Sequence, residues 1–335
     1  MRYMNKKRSV LTYQTRILAS VEHSARLDAY AVLYGQAERS LFAALQAGKP
    51  LNALKSDFLK RFGLTARQFN AIRINLEGQI ASIKERRPGL IHEAGVRIQK
   101  AGKVISKLAR VAPGSNKLHQ KKRRLSTLRA RLAAMQSDHE SGTIRLCFGS
   151  QRLFRAQFDR EANGYADHAT WRADWEATRS RQFFALGSQD ETAGNQTCQA
   201  RLEADGSFTL CLRLPDGLVD NGRKILELPG IRFAYGHDAL VATLLSGRRI
   251  AAQTKAGKPI VKRVGAAISY RFLRDGKGWR VFASIEAQAV DHVSRRTLGA
   301  LGIDINADHL ALAETDRFGN LIAVKRLDLV TYGKT

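Results

Sequence analysis

The sequence predicts an α+β protein of more than one domain, on three observations. Residues 24–140 carry apolar side chains at spacings of three and four; residues 141–298 switch to short alternating runs bounded by turn residues; and residues 299–335 open on two apolar strand patterns in succession. At 335 residues, the chain has room for two or more domains of roughly 100 to 200 residues each. Its 44% hydrophobic content is enough to build a core.

In chain order, Val10 to Leu18 alternates as a strand, so residues 1–23 contribute an N-terminal strand that feeds a helix from Ser24 to Ala47. Thr65 and Gln68 spell a capping box, and Phe69, Ile72, Leu76, Ile80 and Ile83 follow at helical spacing. Pro88 and Gly89 are expected to end that helix. Two further helices are expected, one through Ile91, Ile98, Ile105 and Leu108 and one through Leu118, Leu125, Leu132 and Met135. Ala112, Pro113 and Gly114 separate them, a length that suits antiparallel neighbours. In the β-rich stretch the clearest strands are Thr209 to Leu214, Ile268 to Leu273 and Trp279 to Ile285. The last two are joined by the turn Asp275, Gly276, Lys277, Gly278.

Charge narrows the class of partner. With 56 Lys and Arg against 30 Asp and Glu the net charge is +26, which suits a chain that neutralises phosphates. An apolar run of about 20 residues is absent, which argues against a membrane partner. The basic start Met1 to Arg8 is followed by alternation rather than an apolar stretch, so no signal peptide is read. From Lys84 to Arg131 there are 15 Lys or Arg and two acids, Glu85 and Glu93. A helix surface that only faces water normally mixes signs, because opposite charges four apart stabilise it and like charges repel. Lys100, Lys103, Lys107, Lys121, Lys122, Arg123 and Arg124 are therefore the candidates for contact with a nucleic-acid backbone.

Trp171, Arg172 and Trp175, followed by Arg179, Arg181, Phe183 and Phe184, interleave aromatics with cations as base stacking requires, although core packing accounts for the aromatics equally. Arg248, Arg249, Lys262 and Arg263, with Lys255 and Lys258, surround a Gly-containing loop and suit phosphate. Cys147, Cys198 and Cys211 stand apart without a CxxC pair, so no zinc is expected; they read as small buried residues of a reducing cytoplasm. No P-loop, dinucleotide fingerprint, HExxH or GxSxG is present.

The most telling segment is LGIDINADHLALAETDRFGN, from Leu301 to Asn320. Asp304 sits between Ile303 and Ile305 on an apolar strand, where a buried charge is compensated by a metal ion or a bound phosphate group; the alternative is that Asp304 ends the strand and caps a turn with Asn306 and Ala307. Gly302, Ile303, Asp304, the polar turn through Asn306 and Asp308, the strand His309 to Glu314 and the turn Asp316 to Asn320 resemble the first motif of a RuvC-type, ribonuclease H-like nuclease domain. The spelling is similar to TnpB, the OrfB-type protein of insertion-sequence transposons, and to the related type V CRISPR effectors.

That resemblance implies a fold and partners. Residues 24–140 would be a recognition lobe against a guide RNA and its DNA target, double-stranded and unwound, and 141–298 a wedge-type β-barrel completed by the N-terminal strand. Residues 299–335 would begin an α/β nuclease domain in which Asp304 is catalytic and binds Mg²⁺. Such a lobe reads duplex shape and phosphates while base pairing supplies sequence. The family uses a second and a third carboxylate and a zinc ribbon, which Ile305 to Thr335 do not supply: Asp308, Glu314, Asp316 and Asp328 read as loop, strand-end and solvent positions. Three expectations stand: an RNA-guided DNA-binding protein with an incomplete nuclease domain, inactive alone; the front part of an active Mg²⁺-dependent endonuclease completed by another chain or extension; or an unrelated basic RNA-binding protein.

Overall fold

The computed structural model describes residues 9–253, 259–286 and 296–329. They form two compact units, Ser9–Glu286 and a second unit whose described part is 296–329.

The first unit mixes helices with antiparallel sheets. Strand β1 (Val10–Arg16) leads through the Ser20 cap, whose side chain accepts from the His23 amide at 3.1 Å, into α1 (Val21–Gln46). Helix α2 (Leu51–Phe62) ends at Gly63, whose φ of 58° suits a residue without a Cβ; one added there would lie 2.5 Å from the Gly217 amide nitrogen. The capping box at Thr65 and Gln68 is present in both directions and starts α3 (Ala66–Val111), followed by α4 (Asn116–Glu140). Then come α5 (Gln151–Ala156), α6 (His168–Arg179), β2 (Gln182–Ala185), β3 (Cys198–Leu202), β4 (Phe208–Arg213), β5 (Ile225–Ile231) and α7 (His237–Leu245). Strands β6 (Arg248–Gln253), β7 (Pro259–Val264), β8 (Ile268–Asp275) and β9 (Gly278–Glu286) complete the unit.

One expectation about the helices is corrected. Pro88 and Gly89 do not end α3, which runs through them for 46 residues. Pro88 gives no amide hydrogen to the turn before it, but tertiary contact holds the helix across that gap. The neighbouring Arg87 is buried and donates to the carbonyls of Asp138 at 2.5 Å and Thr143 at 2.7 Å, tying the middle of α3 to the end of α4. The two predicted helices after Pro88 are thus the second half of α3 and α4, and they do pack as antiparallel neighbours.

The sheet orders are β1-β9-β8-β2 and β3-β4-β5, with β6 and β7 as a separate hairpin. The N-terminal strand therefore joins the β8–β9 hairpin, Val10 opposite Glu286 and Arg16 opposite Arg280. Among the described residues these are separate antiparallel sheets and not one closed barrel, and the stretch expected to be β-rich also holds α5, α6 and α7. The predicted turn is where the sequence places it, with Asp275 paired to Gly278. Asp275 organises the turn: it accepts both Arg16 guanidinium nitrogens, at 3.0 and 3.1 Å, the Lys277 amide at 2.8 Å and Arg280 Nε at 2.7 Å, and the Arg16 pair above all holds its carboxyl far below the usual range.

Burial alternates along β8 and β9, so Ile268, Tyr270, Phe272, Trp279, Val281, Ala283 and Ile285 face the core. Phe183 stacks between Tyr30 of α1 and Phe272, with ring centroids 4.2 and 4.7 Å away, and Leu27, Leu41, Phe69, Ile72 and Leu76 extend the same cluster into α1 and the start of α3.

Glu38 on α1 is a charge inside this packing. Its Oε1 accepts from Asn75 at 2.6 Å and Gln79 at 3.2 Å, both on α3, yet burial still raises its pKa. A raised carboxyl favours folding while it is protonated in both states, and this advantage is lost as pH rises through the folded value. Glu38→Gln keeps the accepting oxygen and removes the charge. Its melting temperature should exceed that of wild type at pH 7 and converge with it near pH 4; a lower melting temperature at pH 7 would show that the ionised form is the stabilising one.

The second unit is a three-stranded antiparallel sheet, β10 (Ala300–Ile305), β11 (His309–Thr315) and β12 (Leu321–Asp328), in that order. The expected strand, polar turn and second strand are all present.

Candidate nucleic-acid interface

The basic residues of α3 and α4 come together because the helices are antiparallel. Packing through Leu118 and Leu125, both buried, turns the remaining faces outward on each side of the contact. One such face is an open groove of about 780 Å³ edged by Arg97 and Lys100 from α3 and by Lys121, Arg123, Arg124 and Arg131 from α4, with Ala101, Val104 and Leu128 at its floor. No acidic side chain lines it. Arg97 makes one exposed ion pair, 3.5 Å to Glu93; among the described residues no carboxylate pairs with the other five cations. Six cations, five of them without a carboxylate partner among the described residues, make a positive field that a polyanion relieves by releasing its counterions.

Of the residues named from sequence, Lys100, Lys121, Arg123 and Arg124 meet in this groove, while Lys103, Lys107 and Lys122 are exposed on the same helices but do not line it. Arg97 and Arg131 were missed. Their signal was available: Arg97 precedes Lys100 by three residues and Arg131 follows Arg124 by seven, the repeats that keep side chains on one helix face.

The stacking expectation for Trp171 is corrected. Trp171 is 5% exposed, and its indole donates to the Leu153 carbonyl at 2.8 Å, so it packs α6 against α5 and offers no open ring face. Trp175 is half-buried, parallel to Trp171 at 6.2 Å, and Arg172 is exposed but paired with Glu176 at 3.0 Å. Phe183 is fully buried. Arg248 is exposed at the start of β6; β6 and β7 pair with Arg249 opposite Arg263 and Ile250 opposite Lys262. The side chains of Arg249, Lys262 and Arg263, and residues Lys255 and Lys258 entirely, lie outside the described residues.

Asp304 needs the largest revision. The strand around it is not buried: Leu301, Ile303 and Ile305 are 58%, 57% and 76% exposed, and Asp304 is exposed with them. Alternation puts those apolar residues on one face and Asp304 on the other, with its carboxylate exposed to solvent. Its Oδ2 accepts from Asn306 Nδ2 at 3.2 Å. Asp308 is engaged by His309, 2.7 Å away, which lowers its pKa, and by Arg326 at 3.4 Å. Glu314 is an exposed strand residue, and Asp316 holds the next turn by accepting the Phe318 and Asn320 amides, each at 2.8 Å. Among the described residues no three His, Cys, Asp or Glu side chains converge to hold a metal ion. A hard cation such as Mg²⁺ takes a near-octahedral set of oxygens, and a two-metal centre needs several carboxylates; Asp304 alone does not fit that requirement.

The cysteines share no site. Cys198 lies opposite Leu212 and Cys211 opposite Gln199, so the two thiols face opposite sides of the β3–β4 pair. Cys198 is buried, which raises its pKa, but Cys211 is half-buried and Cys147 exposed, so the expected burial holds for one of the three. Among the described residues no helix is long and apolar enough to cross a membrane.

No protein-family model matches the chain, and no curated protein matches it in sequence.

Proposed function

We propose that this protein binds nucleic acid, with the α3–α4 groove as its contact to the phosphate backbone, and that it works as an RNA-guided DNA-binding protein of the TnpB-like class that its terminal hairpin resembles. The observation that carries the reading is the meeting of Arg97, Lys100, Lys121, Arg123, Arg124 and Arg131 along one groove with no acidic side chain in its lining. Lysine and arginine cations on flexible stems, spaced along two helices of 46 and 25 residues, suit a repeating phosphate backbone better than a small anion. Such contacts orient the ligand and carry no sequence information, which leaves sequence to a paired guide. A guide RNA and a DNA target are the partners this reading requires.

The test is the salt dependence of binding. Purified protein titrated with structured RNA and with duplex DNA should give a linear fall of log affinity with log salt, at a slope of about 0.7 to 0.9 per phosphate contact. A flat response would remove the nucleic-acid reading. Asp304→Ala should bind the same RNA within about twofold of wild type, because Asp304 is an anion on a separate unit and adds no phosphate contact. A marked gain or loss of RNA affinity in that variant would place the hairpin in the binding surface. A protein that prefers a transcript from a transposon end over unrelated RNA supports the TnpB-like class; equal affinity for all RNA favours the reading of an unrelated basic RNA-binding protein.

A further inference from the structure

The rings around α5 and α6 form a ladder from core to solvent. Trp171 is buried; Trp175 lies parallel to it at 11° and is half-buried; Phe154 packs on Trp175 at 5.6 Å; and Phe158 sits edge-on to Phe154 at 6.2 Å. Exposure rises along the series, to 43% at Phe154 and 78% at Phe158. Arg179 places its guanidinium 5.9 Å from the Trp175 ring centre. Arg152 and Arg155 are exposed on α5, the helix that carries Phe154, and among the described residues no carboxylate pairs with either. An exposed phenylalanine has no partner to satisfy in water and costs solubility. Here its ring meets Phe154 edge-on, and Phe154 in turn packs on Trp175.

We infer that Phe158 and Phe154 form a stacking platform for unpaired nucleobases of a single strand, with Arg152 and Arg155 holding the adjoining phosphates. The inference rests on the nucleic-acid reading above and adds a second contact of different chemistry. The α3–α4 groove takes the backbone of any polyanion, whereas the platform needs a base with a free π face. Charge selects this occupant over an apolar protein surface, because a chain of net charge +26, with Arg152 and Arg155 exposed on the same short helix as Phe154, attracts phosphate. Trp171 and Trp175 are positioning residues that keep the phenylalanines from collapsing inward.

The experiment compares a single-stranded RNA oligonucleotide with an abasic phosphodiester chain of equal length, by fluorescence anisotropy at fixed salt. Wild type should prefer the base-bearing strand by about fivefold or more, since stacking on one aromatic ring is of that size or larger. Phe158→Ala, and Phe158→Leu, which keeps bulk without a π face, should lose most of that preference and leave abasic affinity and its salt slope unchanged. At 78% exposure, position 158 tolerates both replacements, and an unchanged unfolding midpoint checks this. Equal affinity of wild type for both strands would overturn the platform and leave the groove standing. So would a preference that survives Phe154→Ala with Phe158→Ala. Self-association abolished by Phe158→Ala, with base preference intact, would reassign the rings to a protein contact and overturn it too. Binding to neither strand would remove both readings together.

Discussion

Replacing Lys100, Lys121, Arg123 and Arg124 together with glutamine should weaken nucleic-acid binding by up to about 10⁴-fold at 50 mM salt and reduce the salt slope by about 3. Each phosphate contact releases close to one condensed counterion. At 50 mM salt that release stabilises the complex by about tenfold, so four contacts multiply to the stated order as an upper figure. Glutamine keeps the helix, because its propensity is close to that of lysine and arginine. The matching control is Lys103→Gln, Lys107→Gln and Lys122→Gln, three charges on the same helices outside the groove. If affinity followed net charge alone, the triple variant would lose three quarters of the slope lost by the quadruple. If the groove is the interface, it should lose far less. Equal slopes per charge in the two variants would mean that these helices act as a diffuse positive surface with no defined contact.

The groove also shows which parts of the structure the sequence carried. One-sided charge is a property of composition, so the dense run from Lys121 to Arg124 stood out directly; which of those residues converge depended on how α3 and α4 face each other. Lys122 falls outside the groove although it is flanked by two residues inside it, because a shift of one position turns a side chain by about 100° around the helix. Local signals were dependable where they were complete in themselves, as at the Thr65–Gln68 box and the turn after Asp275. Pro88 was misleading because what holds α3 across it, Arg87 on the carbonyls of Asp138 and Thr143, lies more than fifty residues away.

Helix α6 was legible, and its spacing decides between stacking and packing for its aromatics. Asp167 caps it by accepting the Thr170 amide at 2.7 Å, and Trp171 and Trp175 are four apart, which is the spacing of one helical face. That spacing favours packing, the account the sequence left open, and leaves the exposed Phe154 and Phe158, also four apart, as the free rings. The apolar spelling of β10 misled in the opposite direction. Alternating Leu301, Ile303 and Ile305 predicts a covered face, whereas in its three-stranded sheet all three are exposed. Periodicity states which side chains share a face, and nothing in it states that the face is covered.

Asn195→Ala should be among the most destabilising single substitutions in the first unit, at about 4 kcal/mol or more. Asn195 is fully buried and uses all four hydrogen-bonding positions of its amide: Nδ2 donates to the carbonyls of Ala185 and Ile268, and Oδ1 accepts from the amides of Thr197 and Cys198, each at 2.9 Å. One side chain thereby fastens β2 and β8 to the start of β3, where the two larger sheets adjoin. Alanine strands four buried backbone groups, and a buried group without a partner costs about 1 to 3 kcal/mol, with partial relaxation keeping the sum below the simple total. Since a domain is stable by about 5 to 15 kcal/mol, the loss should be visible as a large fall in the denaturant midpoint. Asn195→Asp separates the donor half from the acceptor half. It retains Oδ1 for Thr197 and Cys198 but turns a carboxylate oxygen toward the Ala185 and Ile268 carbonyls, so at pH 7 it should be destabilised at least as strongly as alanine. Burial and those carbonyls raise the folded pKa of the new carboxyl, so the protonated form, whose O–H donates to one carbonyl, is favoured as pH falls toward the unfolded value near 4. The stability of Asn195→Asp relative to wild type should therefore improve from pH 7 to pH 4.5 while that of Asn195→Ala does not. A midpoint for Asn195→Ala within about 1 kcal/mol of wild type would mean that water replaces the amide at this junction and that the sheets are held by their apolar faces alone.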